Sequence, residues 1–159
     1  MYGCDKMNER SFVSTDRLHK LAEFRFQLRK FLRFSEIAAE AAGISVQQYQ
    51  MLQVIAAMPE GQGASISYLA ERMILRHNSA VELVDRAVRA GMVRRESDDE
   101  DLRRSIVKLM PEGEKMLDQL IPLHVHELDI RGRDIIAALE ILLASRESDA
   151  DTDPVGDAG

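Results

Sequence analysis

Four consecutive polar residues, Arg76, His77, Asn78 and Ser79, have the side chains best suited to recognising a nucleic acid. An arginine can form two hydrogen bonds with guanine, and an asparagine can form two with adenine. A serine hydroxyl can hold a phosphate oxygen. Together with Glu82, which falls slightly further along the chain, these residues are our first candidates for contacts with DNA bases.

The candidates lie at the start of a predicted helix over residues 77–90, which follows a shorter predicted helix over residues 68–74. Gly91 can adopt the left-handed conformation that ends the longer helix. Ser67 is the predicted N-cap of the shorter helix and a further candidate for DNA contact. Apolar residues recur in the longer helix at helical spacing and predict a buried face. These are Ala80, Val81, Leu83, Val84, Ala87 and Val88.

Two strands are predicted next, over residues 92–96 and 104–109, joined by the polar segment SDDEDLR. Arg94, Arg95 and Arg104 are predicted to contact the phosphate backbone. Two helices joined by a tight turn and followed by a hairpin predict a winged helix-turn-helix. In that fold the second helix enters the major groove and the hairpin reaches the backbone or the minor groove.

The same segment resembles the core of the MarR family of bacterial transcription regulators. The matching features are the LAER helix, the LVDR run, the Gly-Met-Val helix end, the Asp-x-Arg wing and the Leu-x-Pro-x-Gly start of the next helix. The resemblance implies that Arg103 probes the minor groove or a phosphate and that Asp101 holds this arginine in position. Arg86, within LVDR, is expected either to pair with Asp85 or Glu82 or to touch DNA.

The sequence departs from the family pattern at the start of the second predicted helix. Family members often have Ser-x-Ser-Thr or similar there, whereas this chain has Arg76-His77-Asn78-Ser79. The departure leaves open whether His77 or Asn78 partly serves as a structural cap. It also leaves open which DNA sequence is preferred.

Long helices are predicted on both sides of this segment. Residues 14–43 form the first, which carries four of the five phenylalanines, and residues 45–58 form a second that begins with a Ser-x-x-Gln capping box. The terminal helices carry more apolar surface than a monomer of this size hides. The fold class is therefore mainly α with a small β-hairpin wing, a winged helix-turn-helix core flanked by N- and C-terminal dimerisation helices.

Residues 111–146 are predicted to hold the C-terminal dimerisation helices. Pro111 suits the first position of a helix, Pro122 is expected to kink it, and Gly132 is expected to break it before a last helix. In the resembled family the first helix and these last two form the dimer interface. We therefore expect a homodimer built on a single domain, residues 14–146, after a flexible segment, residues 1–13.

The net charge of −6 is unevenly distributed along the chain. The last 13 residues hold five acids and no base, whereas six arginines lie between Arg72 and Arg95 against two acids. Local charge governs phosphate attraction because salt screens charges beyond about 8–10 Å. We expect residues 147–159 to be a disordered, solubilising tail, with competition against DNA for the basic face as the alternative.

Several function classes find no support in the sequence. No nucleophile–base pair, phosphate-binding glycine loop or pair of carboxylates in an apolar setting is present, so we expect neither an enzyme nor a cofactor. His124 and His126 point to different faces of one helix, which predicts surface or interface histidines and no metal site. No apolar run approaches the roughly 20 residues of a membrane span, so the expected location is cytoplasmic.

Function is therefore expected to be repression by a homodimer bound to double-stranded DNA at an inverted-repeat operator. Members of the resembled family commonly bind small aromatic or phenolic ligands. Such a ligand would contact Phe24, Phe31, Phe34, Met51 and Met58 here, although core packing explains the same residues. The alternatives are a protein-interaction module that has lost specific DNA binding and a thiol redox sensor acting through the single cysteine, Cys4.

Overall fold

The structure is a computed structural model that describes residues 14–98 and 105–150. The described residues form five helices and three short strands. In order these are α1 (Thr15–Ala41), α2 (Val46–Ala56), β1 (Ala64–Ser65), α3 (Ile66–Arg72), α4 (His77–Arg89), β2 (Val93–Ser97), β3 (Ser105–Leu109) and α5 (Pro111–Ala150). The predicted fold class, mainly helical with a small hairpin, is confirmed.

The chain divides into two compact units. The first comprises residues 1–32 and 128–159, of which 14–32 and 128–150 are described, and the second comprises residues 33–127. Helices α1 and α5 contribute to both. All the elements from α2 to β3 belong to the second unit, so this unit alone positions the predicted DNA-contacting residues.

The second unit is built on a continuous apolar core. Tyr49 and Leu52 from α2, Leu83 and Val84 from α4, and Val107 from β3 are each at most 1% exposed. The buried residues of α4 recur at three- and four-residue steps, as the sequence predicted. This core therefore fixes the rotation of α4 about its own axis.

The small sheet holds its strands in the order β1-β3-β2, with antiparallel pairing throughout. Val93 pairs with Leu109 and Ser97 with Ser105, while the two-residue strand β1 pairs Ala64 with Val107. Gly113 in the first turn of α5 lies against this hairpin. A Cβ at that position would stand 2.3 Å from the carbonyl oxygen of Met92, so only glycine permits this approach.

The observed N-cap of α2 agrees with the sequence prediction, whereas the observed N-cap of α3 differs from it. At α2, the Ser45 hydroxyl accepts from the Gln48 amide and the Gln48 side chain accepts from the Ser45 amide, which confirms the capping box. At α3, the N-cap is Ser65, whose hydroxyl accepts from the Tyr68 amide at 3.2 Å. The prediction of Ser67 as cap is wrong, because the helix begins two residues earlier than expected.

The C-terminal helix also differs from expectation. It runs without interruption from Pro111 to Ala150, through Pro122 and Gly132. The predicted break at Gly132 is wrong, since an isolated glycine lowers helix stability by only about 1 kcal/mol. The helix also passes the predicted end at residue 146. Among the described residues, no helix is long and apolar enough to cross a membrane.

Candidate nucleic-acid interface

Helix α4 presents two contrasting faces. Ala80, Leu83, Val84 and Ala87 are buried in the core, whereas the residues at the N-terminal end of the helix and along its outer face are exposed. The exposed side chains are those of Arg76, His77, Asn78, Ser79, Glu82, Arg86 and Arg89. Every predicted base-contacting residue therefore lies on the solvent side of a helix that the core holds in place.

The N-terminus of α4 has no side-chain cap. Arg76 is the N-cap residue and its side chain makes no capping hydrogen bond. A structural capping role for His77 or Asn78 is therefore absent from this structure. Within the described residues, no side-chain hydrogen bond or ion pair engages residues 76–79 or Glu82. Their donors and acceptors, and the first amides of the helix, remain available to a ligand.

The root of the wing, defined here as Arg94, Arg95, Glu96 and Lys108 on β2 and β3, has a different arrangement. Its cations are already paired with carboxylates. On one face of the hairpin, the Arg94 Nε donates to Glu96 Oε1 at 2.5 Å, and the Lys108 Nζ lies 2.9 Å from Glu96 Oε2. The hydrogen bonds from Lys108 and Arg94 lower the pKa of the Glu96 carboxyl below its ordinary value. Glu96 therefore holds two cations side by side.

A second ion pair joins α4 to β2. The Arg95 Nη2 donates to Asp85 Oδ1 at 2.7 Å. Asp85 thus pairs with Arg95, so the predicted pairing of Arg86 with Asp85 or Glu82 is wrong. Among the described residues Arg86 has no ion-pair partner. The partner of Asp85 comes from a neighbouring strand, which the spacing of residues along α4 could not reveal.

Of the remaining residues predicted to contact DNA, the structure describes only some. Ser67 is exposed within α3. Asp101, Arg103 and Arg104, which the sequence predicted to contact DNA, lie outside the described residues, as does Cys4. Their roles stay predictions.

The five predicted ligand-contacting residues differ in burial and are divided between the two units. Met51 is fully buried in the core, and Phe34 and Met58 are partly buried. Phe24 and Phe31 belong to the other unit. The cavity of about 480 Å³ in the second unit lies instead between α2 and α3, and none of the five predicted residues lines it. A ligand at the predicted residues remains a prediction.

His124 is buried at 7% exposure, which contradicts its prediction as a surface or interface histidine. Its Nε2 lies 2.8 Å from the Ser35 hydroxyl and its Nδ1 lies 2.8 Å from the Leu120 carbonyl oxygen. The ring also stacks 4.5 Å from that of Tyr49. Because both ring nitrogens have polar partners, the imidazole can be buried at little cost. His126 is exposed, as predicted.

One residue in the turn between α3 and α4 was not predicted to be functional. Ile74 has a positive φ of 53° and a side chain that is 93% exposed. The left-handed region disfavours β-branched residues by roughly 1–2 kcal/mol. The available signal was an isoleucine where a helix-turn-helix often carries glycine.

Comparison with known proteins agrees with this geometry. The model of the MarR family matches residues 42–104. A protein from Thauera aromatica, whose assigned role is transcriptional regulation of the hcr operon, is 31% identical over 96 residues. That alignment spans 60% of this chain and 56% of the relative's length.

Solved structures share the fold at lower identity. MepR, a transcription regulator of the multidrug efflux pump MepA of Staphylococcus aureus, is 17% identical with a TM-score of 0.65, covering 77% of this chain and 94% of MepR. The S. aureus MepR–DNA complex is 20% identical with a TM-score of 0.57, covering 77% of this chain and 96% of that one.

The matched family and the curated relative are regulators of transcription, which are not enzymes, so the prediction of a non-enzymatic protein is confirmed. The family match spans the elements from α2 to β2, so it includes the helix-turn-helix with the exposed α4 surface and the first strand of the hairpin, and it ends before β3. Residues 42–104 are similar to the MarR family of transcription regulators, and the chain shares its fold with a solved MarR-family regulator that is 22% identical with a TM-score of 0.66.

Proposed function

We propose that this protein regulates transcription by binding double-stranded DNA as a homodimer. The observation that carries the proposal is the exposed, hydrogen-bonding N-terminal half of α4 on a helix whose opposite face is fixed in the core. A helix of this kind fits the major groove, which is about 12 Å wide. Its polar end would meet the base edges.

Each side chain at that end has a distinct chemical task in the proposed complex. Asn78 can pair with adenine and Arg76 with guanine or a phosphate, while Ser79 and the uncapped amides of α4 suit phosphate oxygens. His77 and Glu82 would contact neighbouring bases. Arg86 lies further along the exposed face, where it would meet the backbone.

The wing would supply the second contact with DNA. Arg94 and Arg95 at its root would lie close to the phosphate backbone, although each is shared with a carboxylate. At the tip, Arg103 would enter the minor groove, held by Asp101, with Arg104 on the backbone. A planar guanidinium suits a narrow, strongly negative groove.

The proposed dimer interface lies on the first unit. Its segments of α1 and α5 expose many large apolar side chains, roughly half-exposed in each case. These are Leu18, Leu21, Phe26 and Leu32 on α1 and Leu128, Ile130, Ile136, Leu139, Ile141 and Leu143 on α5. Such a concentration of apolar surface is typical of an interface. A two-fold dimer would place two copies of α4 about 34 Å apart, matching an inverted repeat.

The proposed outcome is repression in the cytoplasm, because a dimer bound over a promoter excludes the polymerase. A small aromatic ligand would release DNA by favouring a dimer shape in which the two α4 helices no longer match that spacing. The solved MepR–DNA complex supports DNA as the partner, since MepR shares this fold.

Selection from a random pool of DNA duplexes tests the proposal. Purified protein should enrich an inverted repeat with half-sites one helical turn apart, and sedimentation of the complex should give two chains per duplex. Enrichment of no sequence, while the protein is folded, would contradict sequence-specific binding. One chain per duplex would contradict the dimer.

A further inference from the structure

The same backbone motif ends α1, α3 and α4. In each case the residue beyond the helix has a positive φ, and amides at the helix end bond back to carbonyls of the last turn. That residue is Gly43 after α1 (φ 84°) and Gly91 after α4 (φ 70°), but it is Ile74 after α3 (φ 53°). At α3 the Leu75 amide donates to the Ala70 carbonyl at 2.8 Å, so the motif is fully formed despite the isoleucine.

Contacts of Ile74 with the rest of the described chain do little to offset this conformation. With 93% of the residue exposed, its side chain buries little apolar surface on folding. Glycine would adopt the same φ without conflict with a Cβ atom. An exposed residue that strains the backbone and makes little internal contact points to a contact outside the chain.

The surface beside Ile74 indicates what that contact is. The concavity of about 480 Å³ between α2 and α3 is lined by four polar and four apolar residues, and no acid is among them. The polar residues are Gln50, Gln53, Tyr68 and Arg72, and the apolar residues are Val54, Ala57, Met73 and Ile74. Within the described residues, no acid forms an ion pair with Arg72. The positive charge and amide donors fit an anionic, oxygen-rich partner.

We propose that this turn surface, defined as Gln50, Tyr68, Arg72 and Ile74, packs against the sugar–phosphate backbone of duplex DNA. Ile74 would lie on a deoxyribose and Arg72 on an adjacent phosphate. Ile74 precedes Arg76, the N-cap of α4, by two residues, so it lies where the backbone borders a groove that α4 enters. The inference rests on the proposed DNA binding and extends the interface beyond α4 and the wing.

Two variants at Ile74 separate a contact role from a structural one. Ile74→Gly should raise Tm by about 2–4 °C by relieving the strain. It should also weaken operator binding about 5–10-fold, because an apolar contact is lost. Ile74→Ala should weaken binding similarly without raising Tm, since alanine keeps the Cβ atom. A merely structural role for Ile74 would not weaken binding in a stabilised protein.

Arg72→Gln tests the ionic half of the surface. Binding to the selected operator is measured between 50 and 200 mM salt, and the slope of log K against log[salt] should become shallower by about 0.9, the value for one lost phosphate contact. Ile74→Gly should leave that slope unchanged. Lys115→Gln, which replaces an exposed lysine in the N-terminal part of α5, is the control and should change neither slope nor affinity.

The outcomes separate this inference from the proposed function. If the unaltered protein binds no DNA at 50 mM salt, both are overturned. If it binds its operator and Ile74→Gly binds equally well, only the turn surface is overturned, and a protein or small molecule becomes its occupant. An unchanged salt slope in Arg72→Gln, or a lower Tm in Ile74→Gly, would also overturn the inference.

Discussion

The N-terminal end of α4 and the root of the wing carry the same kinds of polar residue in opposite states. At the end of α4, the side chains of residues 76–79 make no hydrogen bond or ion pair within the described residues. At the wing root, Arg94 and Lys108 share Glu96, and Arg95 is held by Asp85. The first surface is free to exchange water for base edges, whereas the second presents cations whose positions and net charge are already set.

The difference assigns the two surfaces separate tasks. Unpaired donors and acceptors can discriminate between bases, because a wrong base leaves them unsatisfied. Cations already balanced by carboxylates add little to non-specific attraction, since counterion release follows the number of phosphates neutralised. We therefore expect α4 to determine specificity and the wing root to limit indiscriminate binding.

Asn78→Ala removes a side chain from the unpaired N-terminal end of α4 and should have the largest effect on DNA binding. Loss of a bidentate contact with adenine should weaken operator binding by about 1–3 kcal/mol. Stability should stay within about 0.5 kcal/mol, because the side chain is exposed. Fluorescence anisotropy with labelled operator measures the first effect and urea unfolding the second. Gln47→Ala, an exposed amide on α2, is the matched control and should bind normally.

Glu96→Gln removes the carboxylate that pairs with two cations at the wing root. Freed from the carboxylate, Arg94 and Lys108 should strengthen binding to unrelated DNA a few-fold and steepen its salt dependence by up to about one unit of slope. Operator binding should gain less, so the specificity ratio should fall. Glu36→Gln, which removes the exposed ion pair of Glu36 with Arg33 on α1, should leave binding to unrelated DNA unchanged. Unchanged non-specific binding in Glu96→Gln would show that Glu96 does not limit it.

The pH dependence of non-specific DNA binding tests the pairing of Glu96 at the wing root. Because its hydrogen bonds from Lys108 and Arg94 lower the pKa of Glu96 below 4.5, this carboxyl stays ionised as pH falls from 8 to 5. Its ion pairs stabilise the hairpin above the unfolded pKa, and that contribution is lost only as pH falls through the lower, folded pKa. The difference in non-specific affinity between the native protein and Glu96→Gln should therefore be constant from pH 8 to 5. A difference that vanished between pH 6 and 5 would contradict the pairing.

Asp85→Asn should have the smallest effect. The Asp85–Arg95 pair is partly exposed on both sides, at 44% and 37%, so its loss should destabilise the protein by less than about 1 kcal/mol. A double-mutant cycle with Arg95→Ala, followed by urea unfolding, isolates the pair. A coupling energy near zero would mean that this ion pair does not anchor the wing root to α4.

The sequence predicted best where one local pattern decides the structure. The apolar spacing of α4 placed its buried face, and Ser45 with Gln48 placed the start of α2. Tertiary partners were harder to predict. Ser35 and Leu120 make His124 a core residue, and β2 supplies the partner of Asp85. The left-handed conformation of Ile74 was not predicted, because a β-branched residue disfavours it and the residue type therefore gives no signal for it.

Binding to the DNA upstream of the protein's own coding region tests the central claim, sequence recognition by α4, most directly. The native protein would be titrated from 50 to 200 mM salt with unrelated DNA as competitor. We expect tight, salt-sensitive binding that the competitor does not displace and that Asn78→Ala weakens. Binding that unrelated DNA removes equally well, or that Asn78→Ala leaves unaltered, would contradict it.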